Sequence, residues 1–146
     1  MLNIEWKPIK GFEGLYEISN TGIVKALPRY KHSERGNYYT KEKILKQTNS
    51  RSEYYRVPLT DRNHIKKYYS VHRLVAETFL INANPVENTD VNHKDGNKSN
   101  NCVDNLEWCT RSYNLKHAIK TGLKPTIRLL CERIDNLEKR ISKYGI

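Results

Sequence analysis

The sequence predicts an α+β fold in which a small N-terminal antiparallel sheet region precedes a strand–loop–strand–helix (ββα) unit and a C-terminal amphipathic helix. Three observations lead there. Short β-prone runs between turn signals fill the first 70 positions. At 71–81 the hydrophobic period lengthens to that of a helix. From 91 to 117, two strand-like runs flank an Asn-rich polar stretch and end at a helix-capping Thr. The chain has 146 residues, 37% of them hydrophobic, which suits one ordinary domain or two very small ones around a modest core.

Residues 1–70 form the expected β-rich, DNA-binding region. Tyr16-Glu17-Ile18-Ser19 and Ile23-Val24 flank Asn20-Thr21-Gly22, a hairpin turn signal, and Gly11 and Gly14 punctuate the loop before it. Further on, 43–46, 54–59 and 66–71 suit a small antiparallel sheet. The stretch 28–70 holds 11 cations against 4 anions, and seven of the ten tyrosines. Such a sheet buries one face and carries Arg, Lys and Tyr on the other. A two- or three-stranded ribbon fits the DNA major groove, where cations hold phosphates and side chains reach base edges. The candidate DNA-binding residues are Arg29, Lys31, Lys43, Lys46, Arg51, Arg56, Arg62, Lys66 and Lys67, joined by Lys94 and Lys98 later in the chain.

Residues 71–122 form the expected second unit. Leu74, Val75, Thr78 and Phe79 share one face of the helix at 71–81, with His72 a structural residue at its start. Residues 91–93 and 106–108 read as strands and Asp95-Gly96-Asn97 as the turn after the first. Thr110 caps a helix from about 111 to 119. Phosphodiester hydrolysis needs a base for water, a cation for the phosphate and help for the leaving oxygen. His93 can be the base, and Asn92 and Asn114 offer hard carbonyl oxygens that suit Mg²⁺ or Mn²⁺.

Residues 123–146 form the third part. Gly122 and Pro125 break the chain before it, and Ile127, Leu130, Ile134, Leu137, Ile141 and Tyr144 are spaced 3, 4, 3, 4, 3. That seam pairs two copies of the chain as a coiled coil or folds back on its own domain.

Composition narrows the function. The 26 Lys and Arg against 16 Asp and Glu give a formal charge of +10, which points to a polyanionic partner, nucleic acid ahead of an anionic membrane surface. No stretch approaches the roughly 18 apolar residues of a membrane span. The start, Met1-Leu2-Asn3-Ile4-Glu5-Trp6, lacks the basic and apolar runs of a cleaved signal. Cys102, Cys109 and Cys131 are odd in number and contain no Cys-x-x-Cys pair, so free thiols in a reducing compartment are expected and no structural zinc.

These residues also carry a family likeness. Asn92-His93-Lys94-Asp95-Gly96-Asn97-Lys98-Ser99-Asn100-Asn101, followed by Asp104-Asn105-Leu106-Glu107-Trp108, resembles the HNH nuclease motif, the ββα-metal or His-Me finger. The likeness is to phage and intron-encoded HNH homing endonucleases of the I-HmuI type. The segment from Trp6-Lys7-Pro8-Ile9 to Asn20-Thr21-Gly22 is similar to the N-terminal module of these nucleases, and Val71-His72-Arg73-Leu74-Val75-Ala76 stands where they have that run. Coverage is roughly 4–117. The resemblance implies that His93 is the general base, that Asn114 is a metal ligand and that Asn105 holds the ββ loop and so orients His93. The position before the base is often a ligating Asp in relatives; here it is Asn92, a weaker donor for Mg²⁺. His117 is the alternative to Asn114 as the helix ligand.

The expected function is a metal-dependent, site-specific endonuclease of double-stranded DNA leaving 5′-phosphate and 3′-hydroxyl ends, with a host-cytoplasmic location if phage-encoded. The alternative is a non-catalytic DNA-binding protein on the same scaffold. An RNA-binding protein fits the composition but not the 91–117 constellation. A homodimer through Ile127, Leu130, Ile134, Leu137 and Ile141 would bring two sites together and cut both strands; a monomer would nick one.

Overall fold

The computed structural model describes residues 3–49 and 53–122, with 129 and 139. The chain opens with strands β1 (Trp6–Pro8), β2 (Tyr16–Ser19) and β3 (Val24–Ala26). The expected hairpin joins β2 and β3 in the register Tyr16↔Ala26, Glu17↔Lys25, Ile18↔Val24. Its turn closes on Ser19, whose Oγ accepts from Ile23 N at 2.9 Å and whose carbonyl accepts from Gly22 N at 3.0 Å. Gly22 sits at φ +85°, left-handed backbone that glycine enters without steric cost.

The basic region departs from the single small sheet its pattern suggests. β4 (Tyr30–Lys31) and β5 (Tyr38–Tyr39) form a hairpin of their own. β6 (Lys43–Ile44) leaves its neighbours and adds to the first sheet, in the order β1-β2-β3-β6. β6 pairs with β3 in the register Lys25↔Ile44, Ala26↔Lys43. Leu45 N donates to Val24 O at 2.9 Å and the Leu45 side chain packs against the core, while Lys25 on β3 reaches Glu17 on β2 at 3.2 Å and Glu42 beside β6 at 3.3 Å. β7 (Thr48–Asn49), β8 (Tyr55–Thr60) and β9 (Lys66–Ser70) make a third antiparallel sheet.

Helix α1 (Val71–Phe79) follows β9 directly. It ends two residues earlier than its hydrophobic pattern suggests. Leu80 is extended and returns its N–H to Ala76 O, Ile81 is 96% exposed, and the Asn82 side chain turns the chain through Asn84 N and Asn88 O. Val71, Leu74, Val75 and Ala76 enter one hydrophobic cluster with Ile9, Phe12, Tyr16, Ile18, Val24, Val57, Leu59, Val91 and Leu106. Residues on both sides of position 70 therefore share this core, and α1 lies at its centre. The chain ends its described fold with β10 (Asp90–His93), a 3₁₀ turn (Val103–Asn105), β11 (Leu106–Cys109) and α2 (Arg111–Lys120). Thr110 caps α2 as expected, its Oγ1 accepting from Tyr113 N at 3.2 Å. The heptad positions Ile127, Leu130, Ile134, Leu137 and Ile141 lie outside the described residues, as does Arg51.

Candidate active site

Strands β10 and β11 pair antiparallel in the register Asp90↔Cys109, Val91↔Trp108, Asn92↔Glu107, His93↔Leu106. Side chains alternate across a strand, and directly opposed residues share a face. Val91, His93, Leu106 and Trp108 therefore face α1 and the core. Asp90, Asn92, Glu107 and Cys109 face the other way, where α2 packs. His93, the last residue of β10, also reaches the α2 side, so the buried ring and the row of oxygen-bearing side chains border one space.

His93 is 4% exposed. Its Nε2 lies 3.1 Å from Asn101 Oδ1. A carbonyl oxygen only accepts, so Nε2 carries the proton and Nδ1 keeps the basic lone pair. Burial pushes the ring's proton affinity below the ordinary value of 6.5; the Asn101 bond and the Asp95 charge oppose that push without cancelling it. Tyr54 and His72 flank the ring, with centroids at 5.9 and 5.2 Å. His72 is itself buried, and its Nδ1 has no hydrogen-bond partner. Burial, then the neighbouring His93 and Arg73, lower it to about 3. Two uncharged imidazoles thus stand side by side at neutral pH.

The loop between the strands is tied by Asp95 and Asn105. Asp95 Oδ1 accepts from Asn97 N at 2.8 Å and Asn105 Nδ2 at 2.9 Å; its Oδ2 accepts from Asn100 Nδ2 at 2.8 Å. Asn105 also donates to Asn100 O at 2.9 Å and accepts from Asp95 N at 3.1 Å. Partial burial raises the Asp95 carboxyl, but these donors outweigh it and hold the group below its ordinary value. Asn105 thus binds the loop rather than the histidine, and the side chain on the ring is Asn101. The N-terminal hairpin supports that contact from behind: Val103 N donates to Asn20 O at 2.8 Å, and a Cβ on Gly22 would stand 2.9 Å from Asn101 Cβ.

A cleft of about 600 Å³ opens between the ribbon and α2, lined by Tyr54, Asp90, Asn92, His93, Lys98, Arg111, Asn114 and His117 among others. The structure thereby brings together His93, Asn92, Asn114, His117 and Lys98. Asn92 Nδ2 donates to Glu107 Oε1 at 2.7 Å, and Asn114 Nδ2 donates to Asp90 Oδ2 at 3.3 Å. His117 Nε2 is bonded to Lys94 O at 3.1 Å, which ties α2 to the residue after His93. The oxygens offered here are hard donors. Among the described residues no group of three or more His, Cys, Asp or Glu is placed to hold a metal. A partial oxygen shell fits a divalent cation such as Mg²⁺ that keeps water and takes phosphate oxygens.

The cationic residues divide. Lys31, Lys43, Arg56, Lys66 and Lys67 are exposed on the small sheets, and Lys46 is exposed between β6 and β7. Arg29 is drawn inward, donating to Leu15 O and Tyr16 Oη over the Tyr16 ring, and Arg62 donates to Glu13 O. Lys94 Nζ binds Asp104 O, and Lys98 Nζ reaches Glu53 at 3.1 Å beside the Tyr54 ring. Sequence reasoning missed Asn101, Asp90 and Glu107. The strand period places Asp90 on the face of Asn92, so that residue was within reach. Asn101 is one asparagine of a run, and Glu107 needs the ribbon register.

The NUMOD4 motif matches residues 5–60, and the HNH endonuclease family matches residues 69–116. The chain is 42% identical over 142 residues to an uncharacterized HNH endonuclease of Acanthamoeba polyphaga mimivirus, covering 97% of this chain and 35% of the relative. It is 37% identical over 119 residues to the DNA endonuclease I-HmuI of Bacillus phage SP01, covering 82% of this chain and 60% of the relative. The fold superposes on the solved structure of DNA binding and cleavage by the HNH homing endonuclease I-HmuI with a TM-score of 0.65 and 35% identity, covering 90% of this chain and 68% of that one. The chain therefore spans between about a third and three-fifths of these curated relatives. No helix among the described residues is long and apolar enough to cross a membrane.

Proposed function

Because this chain belongs to the HNH endonuclease family, we propose that it is a metal-dependent endonuclease that cuts double-stranded DNA at a specific site, leaving 5′-phosphate and 3′-hydroxyl ends. The observation that carries this reading is His93: buried, proton-poor, and bonded through Nε2 to Asn101 in a cleft that also holds two amide oxygen donors. His93 takes a proton from water at Nδ1, and the water attacks the phosphorus in line with the leaving 3′ oxygen. Asn101 keeps the ring in the required tautomer. Asn105 and Asp95 keep the loop, and so Asn101, in place. Asn92 and Asn114 hold the cation, Mg²⁺ or Mn²⁺; His117 serves instead as a strut, because its Nε2 is spent on Lys94 O. When bound, that cation supplies charge neutralisation at the phosphate and stabilises the leaving oxygen. The exposed cations of the small sheets, with Lys94 and Lys98 beside the cleft, hold the duplex by its phosphates.

The test is a supercoiled plasmid carrying the gene's flanking sequence, with Mg²⁺ or Mn²⁺ and His93→Ala beside wild type. Wild type is expected to open circles, or to give linear product if 127–141 joins two copies; His93→Ala should bind the same DNA without cutting. Ends bearing 3′-phosphate, or equal cutting by both proteins, overturn the reading. A gel shift with no cleavage in either metal leaves a DNA-binding protein on a nuclease scaffold.

A further inference from the structure

The proposed cation ligands Asn92 and Asn114 are neutral amides. Each has a carboxylate behind it. Asn92 Nδ2 donates to Glu107 across the ribbon, and Asn114 Nδ2 donates to Asp90 from α2. The ion pairs among the described residues lie elsewhere, at Glu5–Lys7, Glu17–Lys25–Glu42, Arg73–Glu77 and Glu53–Lys98. Asp90 and Glu107 share one ribbon face with Asn92, and both charges are felt at Cys109 between them. There burial first, then Asp90 and Glu107, push the thiol up to about 11.

We infer that Asp90 and Glu107 are positioning carboxylates that turn the Asn114 and Asn92 carbonyl oxygens toward a divalent cation and supply the site's negative charge one layer out. The inference rests on the metal-dependent reading above. A carboxylate accepts only, so an amide beside it presents NH₂ to the carboxylate and its oxygen to the opposite side. Donation to an anion also shifts electron density toward the amide oxygen, which strengthens a weak neutral ligand. The lack of charge on Asn92 and Asn114 is thereby offset without a formal charge touching the ion. Outer partners of this kind commonly change metal affinity by about 10–100-fold when removed.

The experiment titrates Mn²⁺ into the full-length chain without DNA and reads free Mn²⁺ by electron paramagnetic resonance. The proteins are wild type, the isosteric Asp90→Asn and Glu107→Gln, Asn114→Ala, and the double variant Asp90→Asn/Asn114→Ala. Each isosteric variant should weaken Mn²⁺ binding by about 10-fold or more. Asp90→Asn should add little once Asn114 is gone, because it acts through that amide. Unchanged affinity in both isosteric variants overturns the inference and leaves the nuclease reading standing. A full additional loss in the double variant overturns it in favour of direct ligation by Asp90. No Mn²⁺ binding by wild type overturns both; circular dichroism confirms that each variant is folded.

Discussion

His72 offers the most quantitative perturbation in this protein. It is 7% exposed, its Nδ1 has no partner, and its proton affinity is lowered from 6.5 to about 3, chiefly by burial. Between those two values the unfolded chain takes up a proton that the folded chain refuses. Stability is therefore unaffected by His72 above 6.5 and falls as the pH drops below it, by about 1.36 kcal/mol per unit. One and a half units below the free value, near pH 5, the loss from this one ring is about 2 kcal/mol. His72→Phe keeps the ring volume between Tyr54 and His93 and removes the titration. Urea denaturation followed by tryptophan fluorescence, near pH 5 and near pH 7.5, compares the two proteins. The variant's stability relative to wild type should be about 2 kcal/mol greater at the lower pH. A difference that stays within about 0.5 kcal/mol across that range refutes the burial argument, since it means the ring is free to protonate in the fold.

Other consequences follow from the same geometry. His93 is held below its ordinary 6.5 by burial, so kcat/KM for plasmid nicking should fall only on the acid side of that value; a midpoint at or above 6.5 contradicts the assigned environment. Gly22→Ala places a Cβ 2.9 Å from Asn101 Cβ on backbone at φ +85°. It should cost about 1–3 kcal/mol in urea and slow cleavage more than it weakens DNA binding, because Asn101 holds His93. Thr110→Ala removes the cap of α2 and should lower stability by about 1 kcal/mol, read as a shift in the denaturation midpoint at constant slope.

The local grammar of the chain was sufficient for much of this. The hairpin at 16–24, the change of period at 71, the Thr110 cap and the ββα order all rest on short-range rules of turn, period and capping, and they appear in place. His93, Asn92 and Asn114 stood out because their chemistry and spacing are local to one unit. What tertiary packing alone decided is long-range. β6 joined the first sheet by pairing with β3 and setting Leu45 against the core, and the basic stretch became separate ribbons. Arg29 turned inward onto Leu15 O, and Arg62, still exposed, bound Glu13 O, carbonyl partners that no periodicity announces. Above all, Asn101 was singled out from its asparagine neighbours by burial against His93 and Gly22, and Asp90 and Glu107 met their amide partners only when α2 brought Asn114 to β10 and the β10–β11 register set Asn92 opposite Glu107. A side chain's type is written in the chain, but its hydrogen-bond partner depends on contacts across many residues, and those exist only after the core around α1 has closed.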